Sequence, residues 1–301
     1  MNIVIIGQGA IGLLWYHKLS KQASNQVSLQ CSARITQAPK HSLFTDRENH
    51  TTSQPLTLAT ASDLQTADVI LVCLKSYNIA PLLPSLAKIV STSTSVIFCH
   101  NGMINPQQFL VLNQPCYTLL TTHASKIIEP FHTKHTGLGH NDIGLICGDA
   151  ERTQQEKVIQ CLAEALPTVS FSENINTKQW LKLAINCVIN PITAINNIAN
   201  GAIVHTQFQQ QIAMILKEVV LIAEHDGVLF DHQQLIARVL TVAKNTADNC
   251  SSMRSDILQQ RRTEIDDING YVVNLAKRLN ITLVENERLV REIKALEYNN
   301  E

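Results

Sequence analysis

The stretch Ile3-Val4-Ile5-Ile6-Gly7-Gln8-Gly9-Ala10-Ile11-Gly12 decides how the first half of this 301-residue chain folds. Four consecutive β-branched apolar residues closed by a glycine have the composition of a strand buried on both faces. The glycines that follow are spaced G-x-G-x-x-G and lead at once into the apolar run Leu13-Leu14-Trp15-Tyr16, which reads as a helix. In a strand–turn–helix unit the first glycine permits the tight turn and the second lets a pyrophosphate approach the backbone. The third lets helix and strand pack closely. The phosphate then meets the unpaired N–H groups of the helix N-terminus. The expectation is a dinucleotide site formed by Gly7, Gln8, Gly9, Ala10, Ile11 and Gly12. A glycine-rich turn without a ligand is the alternative, and the strand–turn–helix context argues against it.

Outward from this turn, short apolar runs alternate with helical stretches through about residue 170, the pattern of βαβ units around a largely parallel sheet. Strands are expected at 3–6, 27–31, 69–74, 96–99 and 117–121, with helices at 11–21 and 81–90. Beyond Phe171 every periodic stretch is helical: 178–190, 208–225, 233–245, 263–279 and 285–297. The short polar seam from Phe171 to Thr177 marks the boundary. The fold class is therefore α/β, a Rossmann-type doubly wound sheet over residues 1–172 followed by an all-helical domain over 173–301.

The end of the second strand carries a carboxylate when the cofactor is NAD, because that group binds the ribose 2′-hydroxyl. Here it reads Leu29-Gln30-Cys31-Ser32-Ala33-Arg34, with no acid and one arginine. This favours a 2′-phosphate and hence NADP(H), with Arg34 as its partner, Ser32 sharing the role if Arg34 points away. Ligands of open α/β sheets lie beyond the carboxyl ends of strands, so Lys75 and Asn101, which follow two of them, are placed near the reactive end of the cofactor. For both, a loop residue in contact with water is the plain alternative.

The 24 basic and 25 acidic residues balance, so nothing points to a polyanion-binding surface, and nucleic acid is not an expected partner. No run approaches the 18 apolar residues of a membrane span, and the N-terminus lacks a basic region before its apolar segment. The eight cysteines stand singly, without a C-x-x-C pair, and read as small core residues in a reducing, cytoplasmic compartment. His132 and His135 have a loose ligand-like spacing. Surface histidines account for them, and no metal is expected.

The second half carries its chemistry in Lys182-Leu183-Ala184-Ile185-Asn186-Cys187-Val188-Ile189-Asn190-Pro191. On a helix Lys182, Asn186 and Asn190 fall within an arc of about 80° and span roughly 12 Å, while apolar residues cover the rest of the cylinder. A buried ammonium and two amides are costly unless a protein network or a ligand satisfies them. Asn249-Cys250-Ser251-Ser252-Met253 precedes a helical stretch, and Arg261-Arg262-Thr263-Glu264-Ile265-Asp266 follows on it. A reductase of a 2-keto acid needs a proton donor, donors for the carboxylate and partners for the remaining oxygens. Lys182 can give the proton, Ser252 can donate to the carboxylate, and Asn186, Asn190 and Glu264 can partner the remaining oxygens.

These segments resemble the ketopantoate reductase (2-dehydropantoate 2-reductase) family over nearly the whole chain. The resemblance is carried by Gly7–Gly12, His100-Asn101-Gly102-Met103, Thr121-Thr122-His123-Ala124, Lys182–Pro191, Asn200-Gly201, Ser251-Ser252-Met253, Thr263-Glu264-Ile265-Asp266 and Ile268-Asn269-Gly270. It implies a Rossmann domain, a helical domain and an active site in the cleft between them. It implies further that Lys182 is the general acid and that Asn186, Asn190, Asn200 and Ser252 bind substrate. Asn101 would touch both cofactor and substrate, Glu264 would lie between the cofactor and the substrate hydroxyl, and Ser125 would stand near the nicotinamide, where alanine is frequent. Arg254, Asp267 and Val284 depart from the family pattern without removing a reacting group. The implied reaction is NADPH-dependent reduction of ketopantoate to (R)-pantoate in pantothenate and coenzyme A biosynthesis. A related reductase of another 2-keto acid, or a non-catalytic NADP-binding sensor, is the alternative, and monomer or homodimer stays open.

Overall fold

Val69-Ile70-Leu71-Val72 and Ser95-Val96-Ile97-Phe98 are buried at every position, which only the middle of a sheet covered on both faces allows. The computed structural model describes residues 1–298 and places these runs at the centre of a seven-stranded sheet. Its strands are β1 (Asn2–Ile6), β2 (Gln26–Gln30), β5 (Val69–Val72), β6 (Ser95–Phe98), β7 (Cys116–Thr121), β10 (Asn141–Cys147) and β11 (Val169–Phe171). They lie in the order β11-β10-β7-β6-β5-β1-β2, parallel throughout except where β10 runs antiparallel to β7. Helix α1 (Ala10–Leu19) buries Leu13, Leu14, Trp15 and Leu19 against β1 and its neighbours. The chain leaves β1 for β2 on one side and returns to β5 on the other, so the sheet reverses direction at β1/β5. A doubly wound sheet opens its ligand crevice at such a point.

Residues that sequence periodicity passed over form a second sheet. β3 (His41–Thr45), β4 (Thr51–Pro55), β8 (Ala124–Glu129) and β9 (His132–Gly137) lie in the order β4-β3-β9-β8. Their side chains are mostly Thr, Ser, His and Lys, so the apolar alternation that betrays a strand is faint. Helices α2 (Ala61–Gln65), α3 (Ile79–Ile89) and α4 (Arg152–Ala165) complete this part; α2 and α4 were also not expected.

The helical part contains α5 (Ile175–Asn196), α6 (Thr206–His225), α7 (His232–Asn245), α8 (Ser252–Leu258), α9 (Asn269–Arg278) and α10 (Glu285–Tyr298). Its core gathers Trp180, Leu183, Cys187 and Val188 of α5 with Ile212, Ile215 and Val219 of α6, Val239 of α7, Val272 of α9 and Ile293 of α10. Two expectations fail here. The helix expected to stop at Asn190 runs on through Pro191 to Asn196. The single helix expected at 263–279 is broken: Ile265–Asp267 form a 3-10 turn and α9 starts at Asn269. The Thr263 hydroxyl accepts from the Ile265 N–H, so a short polar side chain competes with the helical bond at that point.

By contact density the chain divides into two units, Met1–His100 with Asn105–Ile175, and Asn101–Ile104 with the residues from Asn176 onward. The four residues after β6 thus belong to the helical unit. Gly102 has φ +75°, and a Cβ there would overlap the Asp267 carbonyl oxygen, while the Met103 N–H donates to that oxygen at 2.8 Å. Only glycine allows so close an approach.

Candidate active site

In the first unit the glycine turn has the shape that a dinucleotide requires. Gly7 adopts φ +114°, and a Cβ on it would overlap the Cys73 carbonyl at the exit of β5. A Cβ on Gly12 would overlap the Gly7 carbonyl oxygen, so α1 sits directly against the turn. Gly9 differs, because a Cβ there would meet nothing within 4 Å. Gly9 is also the N-cap of α1, with no capping side chain and no acid in the first turn. The helix terminus therefore offers its N–H groups and partial positive charge to open space, which suits a pyrophosphate.

The Gln8 Oε1 accepts from the Ser32 N–H at 3.0 Å, which ties the turn to the end of β2. Arg34 is exposed in the loop just beyond, its backbone N–H 3.4 Å from the Ser32 hydroxyl. Lys75 is half-buried at the N-cap of a 3-10 turn that follows β5. Ser125 lies on β8, its hydroxyl 2.8 Å from that of Thr133 and donating to the Lys134 carbonyl at 3.0 Å.

In the second unit, α5 presents the stripe. Lys182 and Asn186 are half-buried and Asn190 is 6% exposed, whereas Leu183, Ala184, Cys187 and Val188 lie within the core. Neither the Asn186 nor the Asn190 carboxamide has a hydrogen-bond partner among the described residues. Two carboxamides in this position can donate to, and accept from, the polar atoms of a ligand.

Asn200 adds a third. It is buried in a 3-10 turn whose backbone is pinned by Asn200 N–H to the Asn249 carbonyl at 3.1 Å and Gly201 N–H to the Ala247 carbonyl at 3.0 Å. Its Nδ2 donates to the Thr246 hydroxyl at 3.1 Å, while its Oδ1 has no partner among the described residues. Ser252 is the exposed first residue of α8, and its neighbour Ser251 is the N-cap, accepting from the Arg254 N–H at 3.1 Å. The Ser251 and Thr193 hydroxyls lie 2.7 Å apart, which joins the start of α8 to α5 just beyond the stripe.

Glu264 is 4% exposed, and its Oε2 accepts from the Asn101 Nδ2 at 3.5 Å. Asn101, on the segment docked through Gly102, is thus brought to Glu264 within the helical unit. Thr193 and Ser251 were not singled out from sequence as residues holding α8 to α5. The available signals were a threonine inside an apolar helix and a serine at a capping position.

Two smaller expectations are corrected. His135 is not a surface residue: it is 3% exposed, its Nε2 3.3 Å from the Nδ1 of buried His123. Cys250 is exposed, and Cys31 and Cys147 are half-buried, so not every cysteine is a core residue; all eight are free thiols. Among the described residues no helix is long and apolar enough to cross a membrane.

Fold and site together define an α/β unit with a glycine turn of the dinucleotide-binding form and a helical unit that carries a row of polar side chains on α5. Residues 3–147 match the family model described as ketopantoate reductase PanE/ApbA, and residues 174–297 match its C-terminal counterpart. The 2-dehydropantoate 2-reductase of Shigella flexneri is 34% identical over 301 residues, covering 99% of this chain and 95% of that protein. The chain belongs to the ketopantoate reductase family. A PanE/ApbA family ketopantoate reductase from Ralstonia eutropha JMP134 shares the fold at TM-score 0.87 and 23% identity, covering 100% of this chain and 99% of that one. The ternary structure of D-mandelate dehydrogenase with NADH and anilino(oxo)acetate shares it at TM-score 0.90 and 21% identity, with coverage of 100% and 99%.

Proposed function

We propose that this protein is a cytoplasmic 2-dehydropantoate 2-reductase that reduces ketopantoate to (R)-pantoate with NADPH. The observation that carries the reading is the row Lys182, Asn186, Asn190 on α5, in which the two carboxamides have no hydrogen-bond partner among the described residues, in a chain 34% identical to an enzyme of that name. The glycine turn from Gly7 to Gly12 holds the pyrophosphate, and Arg34, in a loop free of carboxylates, favours the 2′-phosphate. A bound nicotinamide supplies hydride to the C2 carbonyl. The protein's own part is to hold that carbonyl and to deliver one proton to its oxygen.

Lys182 is the donor: its ammonium hydrogen-bonds the oxygen, stabilises the negative charge as it develops and passes the proton over, leaving a neutral amine that solvent reprotonates. Asn186, Asn190 and Asn200 orient the substrate oxygens, with the Asn200 Oδ1 as an acceptor for a hydroxyl. Ser252 donates to the carboxylate. Glu264, held by Asn101, accepts from the distal hydroxyl. The test is the loss of 340 nm absorbance when pure protein meets ketopantoate, run in parallel with NADPH and NADH. Ketopantoate-dependent oxidation that is faster with NADPH is expected. No oxidation with either nucleotide would refute the activity, and a preference for NADH would refute the role of Arg34.

A further inference from the structure

Helix α5 contains Pro191 yet continues for five residues beyond it. In an α-helix the N–H of residue 191 bonds the carbonyl of residue 187, and proline has no N–H to give. The Cys187 carbonyl is thereby orphaned, on a residue that is 0% exposed and out of reach of water. The structure fills the gap from another element: the Asn269 Nδ2 donates to the Cys187 carbonyl oxygen at 3.0 Å.

Asn269 is itself held in that orientation. The second hydrogen of its Nδ2 goes to the Asn286 Oδ1 at 3.0 Å, and the Asn286 Nδ2 donates to the Glu218 carboxylate at 2.7 Å and to the Ile215 carbonyl at 3.3 Å. The same carboxylate accepts the backbone N–H groups of Val284, Glu285 and Asn286 at 2.7, 2.9 and 2.9 Å, so it caps α10. Because the Asn286 amide nitrogen is committed to an anion, its oxygen must face Asn269, and Asn269 can only offer N–H toward α5. Each bond polarises the next in a region without solvent, since both asparagines are 0% exposed.

The carbonyl that this relay reaches belongs to the residue after Asn186 and three before Asn190. We propose that Asn269 is a positioning residue for the reduction: it replaces the hydrogen bond that Pro191 deletes and so keeps Lys182, Asn186 and Asn190 in one row. The inference rests on the function proposed above. Without the Asn269 donor the helix bends at the proline, and Asn190 moves relative to Lys182. Displacements of about 1 Å in a reacting array cost on the order of a hundredfold in rate.

The test is a double-mutant cycle in the full-length protein, because Pro191→Ala returns an N–H to the Cys187 carbonyl. Asn269→Ala is expected to lower kcat with ketopantoate by roughly 10- to 100-fold. Asn269→Ala with Pro191→Ala should recover to within about threefold of Pro191→Ala alone, as coupled sites do. An equal loss in both backgrounds, or a fall in Tm with kcat unchanged, overturns the proposal. If Asn269→Ala does not accumulate as folded protein, Asn269→Leu enters the same cycle, since its side chain fills a similar volume and has no hydrogen to donate. Hydrogen exchange of the α5 backbone reads the same pair without substrate. Protection across residues 188–195 should drop in Asn269→Ala and return with Pro191→Ala, and unchanged protection overturns the inference. Failure of the functional reading is distinguishable, because it appears as an inactive wild type.

Discussion

The turn from Gly7 to Gly12 and the helix Ile175–Asn196 are the two proposed ligand sites, but the first is built with backbone and the second with side chains. At the turn, the binding surface exists because side chains are missing. Gly7 and Gly12 let three pieces of backbone approach within contact, and Gly9 leaves space open at the start of α1. Along α5 the surface exists because side chains are present, Asn186 and Asn190 having no carboxamide partner among the described residues, and the row stays in line only while the helix stays straight. The turn is supported by neighbours within the first unit, Cys73 after β5 and Ser32 after β2. The helix depends on Asn269, 82 residues away in the chain.

The difference can be broken most severely at Gly12. Gly12→Ala puts a methyl into the Gly7 carbonyl, backbone against backbone, and should destabilise the first unit by about 3 kcal/mol or more, read as a lower midpoint in urea unfolding. An unchanged midpoint would mean that the third glycine is not a packing residue. Gly9→Ala should leave that midpoint within about 0.5 kcal/mol, since the methyl meets nothing, yet weaken NADPH about tenfold by occupying the space in which phosphate approaches. Equal NADPH affinity, measured by fluorescence titration, would remove the phosphate from that position.

A smaller effect comes from acid. Burial and the nearby Lys21 push His17 down to about 4, and burial with the adjoining His135 does the same to His123. The His17 Nε2 lies 2.9 Å from the Ser42 hydroxyl, which donates its own hydrogen to the Phe131 carbonyl, so Ser42 accepts from a neutral imidazole. Above pH 6.5 neither the folded nor the unfolded chain protonates these rings. Below it the unfolded chain gains protons that the folded one does not, so stability falls between pH 6.5 and about 4. The slope is at most about 1.4 kcal/mol per pH unit for each histidine. Urea midpoints at successive pH values check this, and His17→Gln should flatten the acid limb; an unaltered limb would mean that His17 is not buried as the neutral base.

How far the chain can be read from sequence follows the same division. The glycine turn was legible because its requirements are local: φ, the absence of Cβ and a strand on one side with a helix on the other. The stripe on α5 was legible because a period of four among apolar neighbours admits one geometry. What escaped has its cause elsewhere in the chain. Pro191 reads as a helix stop, and only Asn269 makes it otherwise. Asn101 reads as the end of a Rossmann strand, and only the overlap that a Cβ on Gly102 would make with Asp267 shows that it joins the helical unit. The second sheet escaped because polar strands such as Thr51-Thr52-Ser53-Gln54-Pro55 have no apolar face to announce them.

Lys182 is the proposed proton donor of a side-chain site that is distinct in kind from the backbone turn. The most direct test is Lys182→Ala assayed with saturating ketopantoate and NADPH, alongside NADPH affinity and Tm on the same preparation. General acid catalysis contributes on the order of 10²–10⁴ in rate, so kcat should fall at least about a hundredfold while NADPH affinity and Tm hold. Turnover within a few-fold of the wild type would contradict the account.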